Sequence, residues 1–178
     1  KIPTDVRPDR DPKPVLGSAM SLTRPAGAAG PLRVLHVHSG NLYGGVETLL
    51  ATLARQAPRA CGLTQSFALC FEGRLSRELA AVGAAVHQIG RVRLSRPCTV
   101  GRARRVLSRL LRRESLDLVV CHQPWPLVVF QSTVREAGLP IVLWMHMAGD
   151  GRHWIDRLAR RAPPDAVVAN SRFTADEM

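Results

Sequence analysis

The sequence predicts one doubly wound α/β domain built on a mostly parallel sheet. Three observations predict it. From Leu32 onward, short apolar runs alternate with amphipathic stretches. The runs are continuously apolar, as strands covered on both faces must be. The chain has 178 residues and is 46% hydrophobic, enough for one substantial core and a tail.

Residues 1–31 carry Pro3, Pro8, Pro12, Pro14 and Pro25 among small and charged side chains. That is too little apolar surface to offset the entropy of ordering, so the segment reads as a disordered tail and the domain is placed at 32–178. Residues 33–38 (RVLHVH) read as the first strand. A glycine-containing loop leads into residues 46–56, where Val46, Leu49, Leu50 and Leu53 recur at helical spacing. The alternation continues with a strand at 65–70, a helix at 75–82, a strand at 85–89 and a helix at 100–113. On that helix Val100, Ala103, Val106, Leu107, Leu110 and Leu111 share one face, while Arg102, Arg105, Arg109, Arg112 and Arg113 fall largely elsewhere. A strand at 116–121, a helix at 126–137, a strand at 140–144, a helix at 154–161 and a strand at 166–169 complete six strands with right-handed crossovers. Ser171 reads as the N-cap of one more helix, with Thr174 and Glu177 as a capping box one turn on. The sequence stops before that helix completes, so the domain reads as incomplete at its C-terminal end.

Composition narrows the function. The longest apolar stretch, residues 139–147, is broken by His146 and falls short of the roughly 20 apolar residues of a membrane span. The four cysteines, Cys61, Cys70, Cys98 and Cys121, form no CxxC pair and no dense disulfide framework, which points to reduced thiols in a cytoplasmic setting. No apolar signal-peptide core precedes the domain, and the first residue is Lys1. The formal charge is +11, and the first thirty residues hold only five basic against three acidic groups, so most of the surplus lies on the domain. Such a surplus favours anionic partners. An aromatic content of 4%, without aromatic and basic residues interleaved, argues against nucleic acid. The arginine face of the 100–113 helix reads as a solvated face or as a surface that docks on anionic membrane.

A sheet of order 3-2-1-4-5-6 binds ligands beyond the carboxyl ends of its strands, where the order reverses. There the first strand ends at His38 and runs into Ser39-Gly40-Asn41-Leu42-Tyr43-Gly44-Gly45, the fourth runs into His122-Gln123-Pro124, and the fifth into His146-Met147. Three histidines are therefore expected on one rim. The Gly44-Gly45 pair ahead of Val46-Glu47-Thr48 reads either as turn geometry or as an open helix N-terminus whose N–H groups bind a phosphate or a polar sugar face. Neither GxGxxG nor GxxxxGK[ST] occurs, which argues against a dinucleotide fold and a P-loop. Glu47 sits in the first helical turn, where an acid suits the helix dipole. His122, just past a buried strand and with an ordinary pKa near ~6.5, is the candidate to hold or move a proton; a strand-end histidine satisfied by backbone is the plain alternative. His36 reads as structural, and His38 and His146 are left open. Three histidines could also hold zinc, but no HExxH or HxH-plus-acid spacing supports a metal, and none is expected.

Taken together, VLHVHSGNLYGGVETLLATLAR (34–55), LDLVVCHQPWP (116–126), LPIVLWMHM (139–147) and DAVVANSRFTA (165–175) resemble the N-terminal half of retaining GT-B glycosyltransferases of family 4. The GGVE and NS-F-T elements are specific in combination and weak singly. The resemblance implies a Rossmann-like, acceptor-side domain, with the nucleotide-sugar donor held largely by a second domain. Carried over, Gly44 and Gly45 match the loop that meets the donor's phosphate or sugar, and His122 matches the histidine near the transferring sugar. Asn41, Tyr43, His146 and Ser171 lie where acceptor or sugar contacts are made. The resemblance further implies transfer to a glycan or lipid-linked acceptor, retention of configuration, and no cofactor or metal. With a lipid-linked acceptor it also implies peripheral contact with the inner face of the membrane. The second domain's donor-phosphate residues and paired glutamates are absent from this sequence, so the chain reads as truncated before the donor domain and inactive alone. A non-catalytic binding module left by truncation is the alternative, and a hydrolase on a similar sheet is a third reading.

Overall fold

A computed structural model describes residues 30–40, 43–60, 62–147, 153–161 and 163–176. Nearly all of the expected tail, Asn41, Cys61 and the Glu177 half of the expected capping box lie outside the described residues. In chain order the elements are β1 (Leu32–His38), α1 (Gly45–Gln56), a 3-10 turn (Ala57–Arg59), β2 (Leu63–Leu69), α2 (Arg74–Ala81), β3 (Ala85–Gln88) and α3 (Pro97–Arg113). They continue with β4 (Leu118–His122), α4 (Pro124–Glu136), β5 (Ile141–Met145), α5 (Trp154–Arg161), β6 (Ala166–Ala169) and α6 (Arg172–Asp176). The strands form one six-stranded sheet of order β3-β2-β1-β4-β5-β6, every pairing parallel.

Because side chains alternate along a strand, each face of the sheet has its own core. Leu35, Val37, Ala68, Val119, Cys121 and Ile141 pack with Ala103 and Leu107 of α3, Phe130 and Val134 of α4 and Ala159 of α5. The opposite face carries Phe67 and Leu69 against Leu50 and Ala54 of α1 and Leu75 and Leu79 of α2. Register places His36 opposite Phe67 and Val120, and His122 opposite Trp144. His36, His38, His122 and Trp144 therefore share the face that α1 and α2 cover, an apolar environment for polar rings. Cys70 and Cys121 belong to the other core, and burial pushes both thiols up to about 12, which leaves them as small apolar fillers.

Several boundaries move from their expected places for physical reasons. Helix α3 starts at Pro97, a turn before the apolar stripe, because proline at the first helical position is already set at a helical φ and its missing N–H is not needed there. The same effect starts α4 at Pro124. Strand β4 occupies Leu118–His122 rather than 116–121, so His122 is the last residue of the strand and not the first of a loop. Ser171 does cap α6, its Oγ accepting from the amide of Thr174 at 3.1 Å. The glycine that a turn requires is Gly40, at φ +75° with the Phe71 carbonyl 3.2 Å from where a Cβ would stand. Gly44 is extended (φ −154°) and Gly45 has no positive φ, so turn geometry does not explain that pair.

Candidate functional site

At the point where strand order reverses, three histidines join in series: His36 and His122 from β1 and β4, and His146 just past the end of β5. His36 Nδ1 lies 2.9 Å from His122 Nε2, and His122 Nδ1 lies 2.8 Å from His146 Nε2. The rings are layered with their neighbours. Phe67 stacks on His36 at 5.2 Å, and Trp144 stacks on both His122 at 5.5 Å and His146 at 5.6 Å. The backbone of His146 is held in turn by the loop after β6, where Asn170 Nδ2 donates to the His146 carbonyl at 2.9 Å and Asn170 Oδ1 accepts from Thr174 Oγ1 at 3.0 Å.

A second device sits beside this series. His38 Nε2 meets Glu47 Oε1 at 2.7 Å, and Glu47 Oε2 accepts from the amide of Gly44 at 2.9 Å. Glu47 is thus more than an acid near a helix dipole: it ties the end of β1 to the glycine loop and satisfies one orphan amide of α1. The first intrahelical bond is Thr48 N to the Gly44 carbonyl at 3.0 Å, which leaves the amides of Gly45, Val46 and Glu47 ahead of the ladder. A Cβ on Gly45 would meet nothing within 4 Å, and one on Gly44 would meet only Glu47 Oε2 at 3.7 Å. What these glycines contribute is open space over a helix N-terminus, the condition for close approach by a phosphate or sugar.

Burial sets the electrostatics. His122 is 0% exposed, and burial first, then the neighbouring histidines, hold its pKa well below the ordinary value. Burial lowers His36 to about 4, against a smaller opposing effect of Gln65, and lowers the half-buried His146 as well. The expected rim histidine with an ordinary pKa is therefore corrected: His122 is sealed inside and neutral, and the ring of the series that is not buried belongs to His146. Burial alone would raise the Glu47 carboxyl, but the hydrogen bonds from His38, from its own backbone amide and from Gly44 outweigh it and hold the group below the usual carboxylate range. Among the described residues no three His, Cys, Asp or Glu side chains form a metal-holding group. The histidine nitrogens of the series bond to one another instead of converging on a point.

Of the residues singled out from the sequence, the structure brings together Gly44, Gly45, His122 and His146. Tyr43 is turned elsewhere, its hydroxyl donating to Glu78 at 2.6 Å and its ring lying under Arg74 at 4.0 Å. Ser171 commits its Oγ to capping α6. Sequence reasoning missed Gln123. It sits at φ 78° and ψ 161° between His122 and Pro124, a conformation nearly reserved for glycine that costs a side-chain-bearing residue about 1–3 kcal/mol. Strain of this size at the end of the central strand turns the chain sharply into α4. The one cue for it in sequence was the His-Gln-Pro string, since proline restricts the residue before it.

The sequence matches Glycosyltransferase Family 4 over residues 43–178. The chain belongs to glycosyltransferase family 4. No curated protein matches it in sequence. Its fold is that of GT-B glycosyltransferases. MurG of Acinetobacter baumannii is 19% identical with a TM-score of 0.59, over 78% of this chain and 41% of that one. The lipopolysaccharide outer core galactosyltransferase WaaB is 15% identical with a TM-score of 0.64, over 82% and 41%. HepE of Anabaena, in complex with UDP and glucose, is 18% identical with a TM-score of 0.60, over 82% and 40%. The family 4 chain thus spans about 40% of the length of these proteins. Gly44, Gly45, His122, His146 and Ser171 lie within the matched family segment, whereas His36 and His38 precede it.

Proposed function

We propose that this chain is the acceptor-side half of a retaining glycosyltransferase that moves a sugar from a nucleotide-sugar donor to a glycan or lipid-linked acceptor, without a metal or other cofactor. The match to family 4 carries the reading, and the crevice supports it. The amides of Gly45 and Val46 at the head of α1 suit a donor phosphate or sugar hydroxyl, and His146 stands at the same strand ends to hydrogen-bond a sugar. HepE, of like fold, is seen with UDP and glucose. Preorganised donors that meet charge as the donor bond breaks would lower the barrier there. Most of the donor site belongs to residues beyond this chain, so the domain alone engages nucleotide sugars weakly and transfers nothing. Calorimetry of the chain with UDP-, GDP- and ADP-sugars tests this. Dissociation constants far weaker than micromolar are expected, and a micromolar value for any of them overturns the division between acceptor and donor halves.

The exposed arginines of α3, namely Arg102, Arg105, Arg109, Arg112 and Arg113, form with the charge surplus a surface suited to anionic headgroups. Among the described residues no helix is long and apolar enough to cross a membrane. Contact with the inner, cytoplasmic face of a membrane would therefore be peripheral.

A further inference from the structure

The histidine series has a direction, and a residue at its buried end sets it. A neutral imidazole carries one N–H and one lone pair, so three neutral rings joined in series must all donate the same way. The bonds at 2.9 Å and 2.8 Å allow two arrangements. In one, each ring donates outward and His146 shows an N–H to the crevice; in the other, each donates inward and His146 shows a lone pair. Gln65 decides between them. Strand register sets it opposite Val34, on the same sheet face as His36, and its Oε1, an acceptor only, is buried with no hydrogen-bond partner. A buried acceptor left without a partner costs about 1–3 kcal/mol, which favours a proton on the remaining nitrogen of His36, Nε2. His36 Nδ1 must then accept from His122 Nε2–H, and His122 Nδ1 from His146 Nε2–H. That leaves His146 Nδ1 bare, on a ring that is only half buried and whose Nδ1 has no bond among the described residues.

We propose that Gln65 and His36 are positioning residues which, through His122, fix His146 with its proton on Nε2 and its Nδ1 lone pair turned to the crevice, as the acceptor of a hydrogen bond from a hydroxyl of the bound sugar. The identity of that hydroxyl compound rests on the proposed function; the direction of the series does not. The arrangement gives the buried His36 and the half-buried Gln65 a role on an apolar sheet face: they stand behind His122 and decide which nitrogen of His146 meets a ligand. It also gives the buried His122 a role without contact with substrate, as the middle link that transmits the choice.

Nitrogen-15 NMR of the histidine side chains in the 178-residue chain at neutral pH tests the proposal without any transfer reaction. His36, His122 and His146 should each show a protonated Nε2 and an unprotonated Nδ1. Q65L, which removes the acceptor, should convert His146 from this single tautomer to a mixture or to the Nδ1–H form, and Q65E, which restores an acceptor, should return it. Finding His146 with Nδ1–H in the unmodified chain overturns the proposal, and so does an unchanged tautomer in Q65L. Should Q65L fail to fold, the unmodified chain's spectrum decides by itself. Failure of sugar transfer in the complete protein would count against the proposed function and leave this result untouched.

Discussion

Mild acid should unfold this domain, and the buried histidines set how steeply. His36 is held at about 4 in the fold against 6.5 for a free ring. Its folded pKa is lowered, so above 6.5 both states are neutral and the ring's burial is tolerated without penalty. As pH falls below 6.5 the unfolded chain takes up a proton that the folded one refuses, and stability drops by about 1.4 kcal/mol per pH unit until the folded ring also titrates. His36 alone therefore removes about 2 kcal/mol by about pH 5 and about 3 kcal/mol by about pH 4. His122 and His146, lowered by the same burial, steepen the fall in the same direction. Glu47, held below the usual carboxylate range, adds its loss only at lower pH still. Against a total stability of roughly 5–15 kcal/mol such losses are large. Urea midpoints measured from about pH 7.5 to about pH 4.5 provide the assay. A flat profile, or stability that rises towards acid, would refute the neutral buried series on which the site's description depends.

His122→Ala should lower stability by about 2–4 kcal/mol, because it removes a fully buried ring and strands a nitrogen on His36; a urea midpoint within about 0.5 kcal/mol of the unmodified protein would place that ring outside the core. In a complete enzyme the same change should also lower turnover beyond what the loss of folded protein explains, because His146 loses the ring that orients it. Gly45→Val should leave the melting temperature nearly unchanged, since its Cβ meets nothing, while weakening donor engagement in the complete protein by about tenfold or more; a folding defect without a binding defect would contradict the open-space role. Gln123→Gly should stabilise the domain by about 1–3 kcal/mol minus the entropy that glycine adds to the unfolded chain, read as a raised urea midpoint, and a lowered midpoint would show that the side chain offsets its strain. The chain should bind anionic vesicles and release them as salt screens the α3 arginines; equal binding to neutral vesicles, or none to anionic ones, would remove the membrane surface.

Much of the fold was legible because apolar runs and helical periodicity follow directly from burial on two sheet faces. The helix at 154–161 and the strand at 166–169 fall where their patterns place them. The meeting of His38, His122 and His146 was legible too, since strand order alone brings their ends together. Depth was not. A histidine at the end of an apolar run looks the same in sequence whether it stands at the rim or beneath it, and a one-residue shift in β4 decides which. His36 looked structural and is, yet its ring is bonded into the site, a link that runs across 86 positions of sequence and no local pattern encodes. Glu47 was read by its place near a helix dipole, and its partnership with His38 needed the loop between them to be closed. The glycine pair left two readings open, a turn or an uncovered helix N-terminus; Gly44 is extended and Gly45 opens α1, and the positive φ in this loop falls on Gly40 instead.

The central claim is that this family 4 domain serves sugar transfer, and one measurement bears on it most directly. The complete protein carrying the domain would be incubated with UDP-, GDP- and ADP-sugars and with a mixture of glycan and lipid-linked acceptors, and the products followed by mass spectrometry and by proton NMR of the new anomeric centre. The account predicts release of nucleoside diphosphate matched by an acceptor that has gained one sugar, with the donor's anomeric configuration retained. Nucleotide-sugar binding with no acceptor ever gaining a sugar would contradict the transferase claim, and an inverted product would contradict its retaining form.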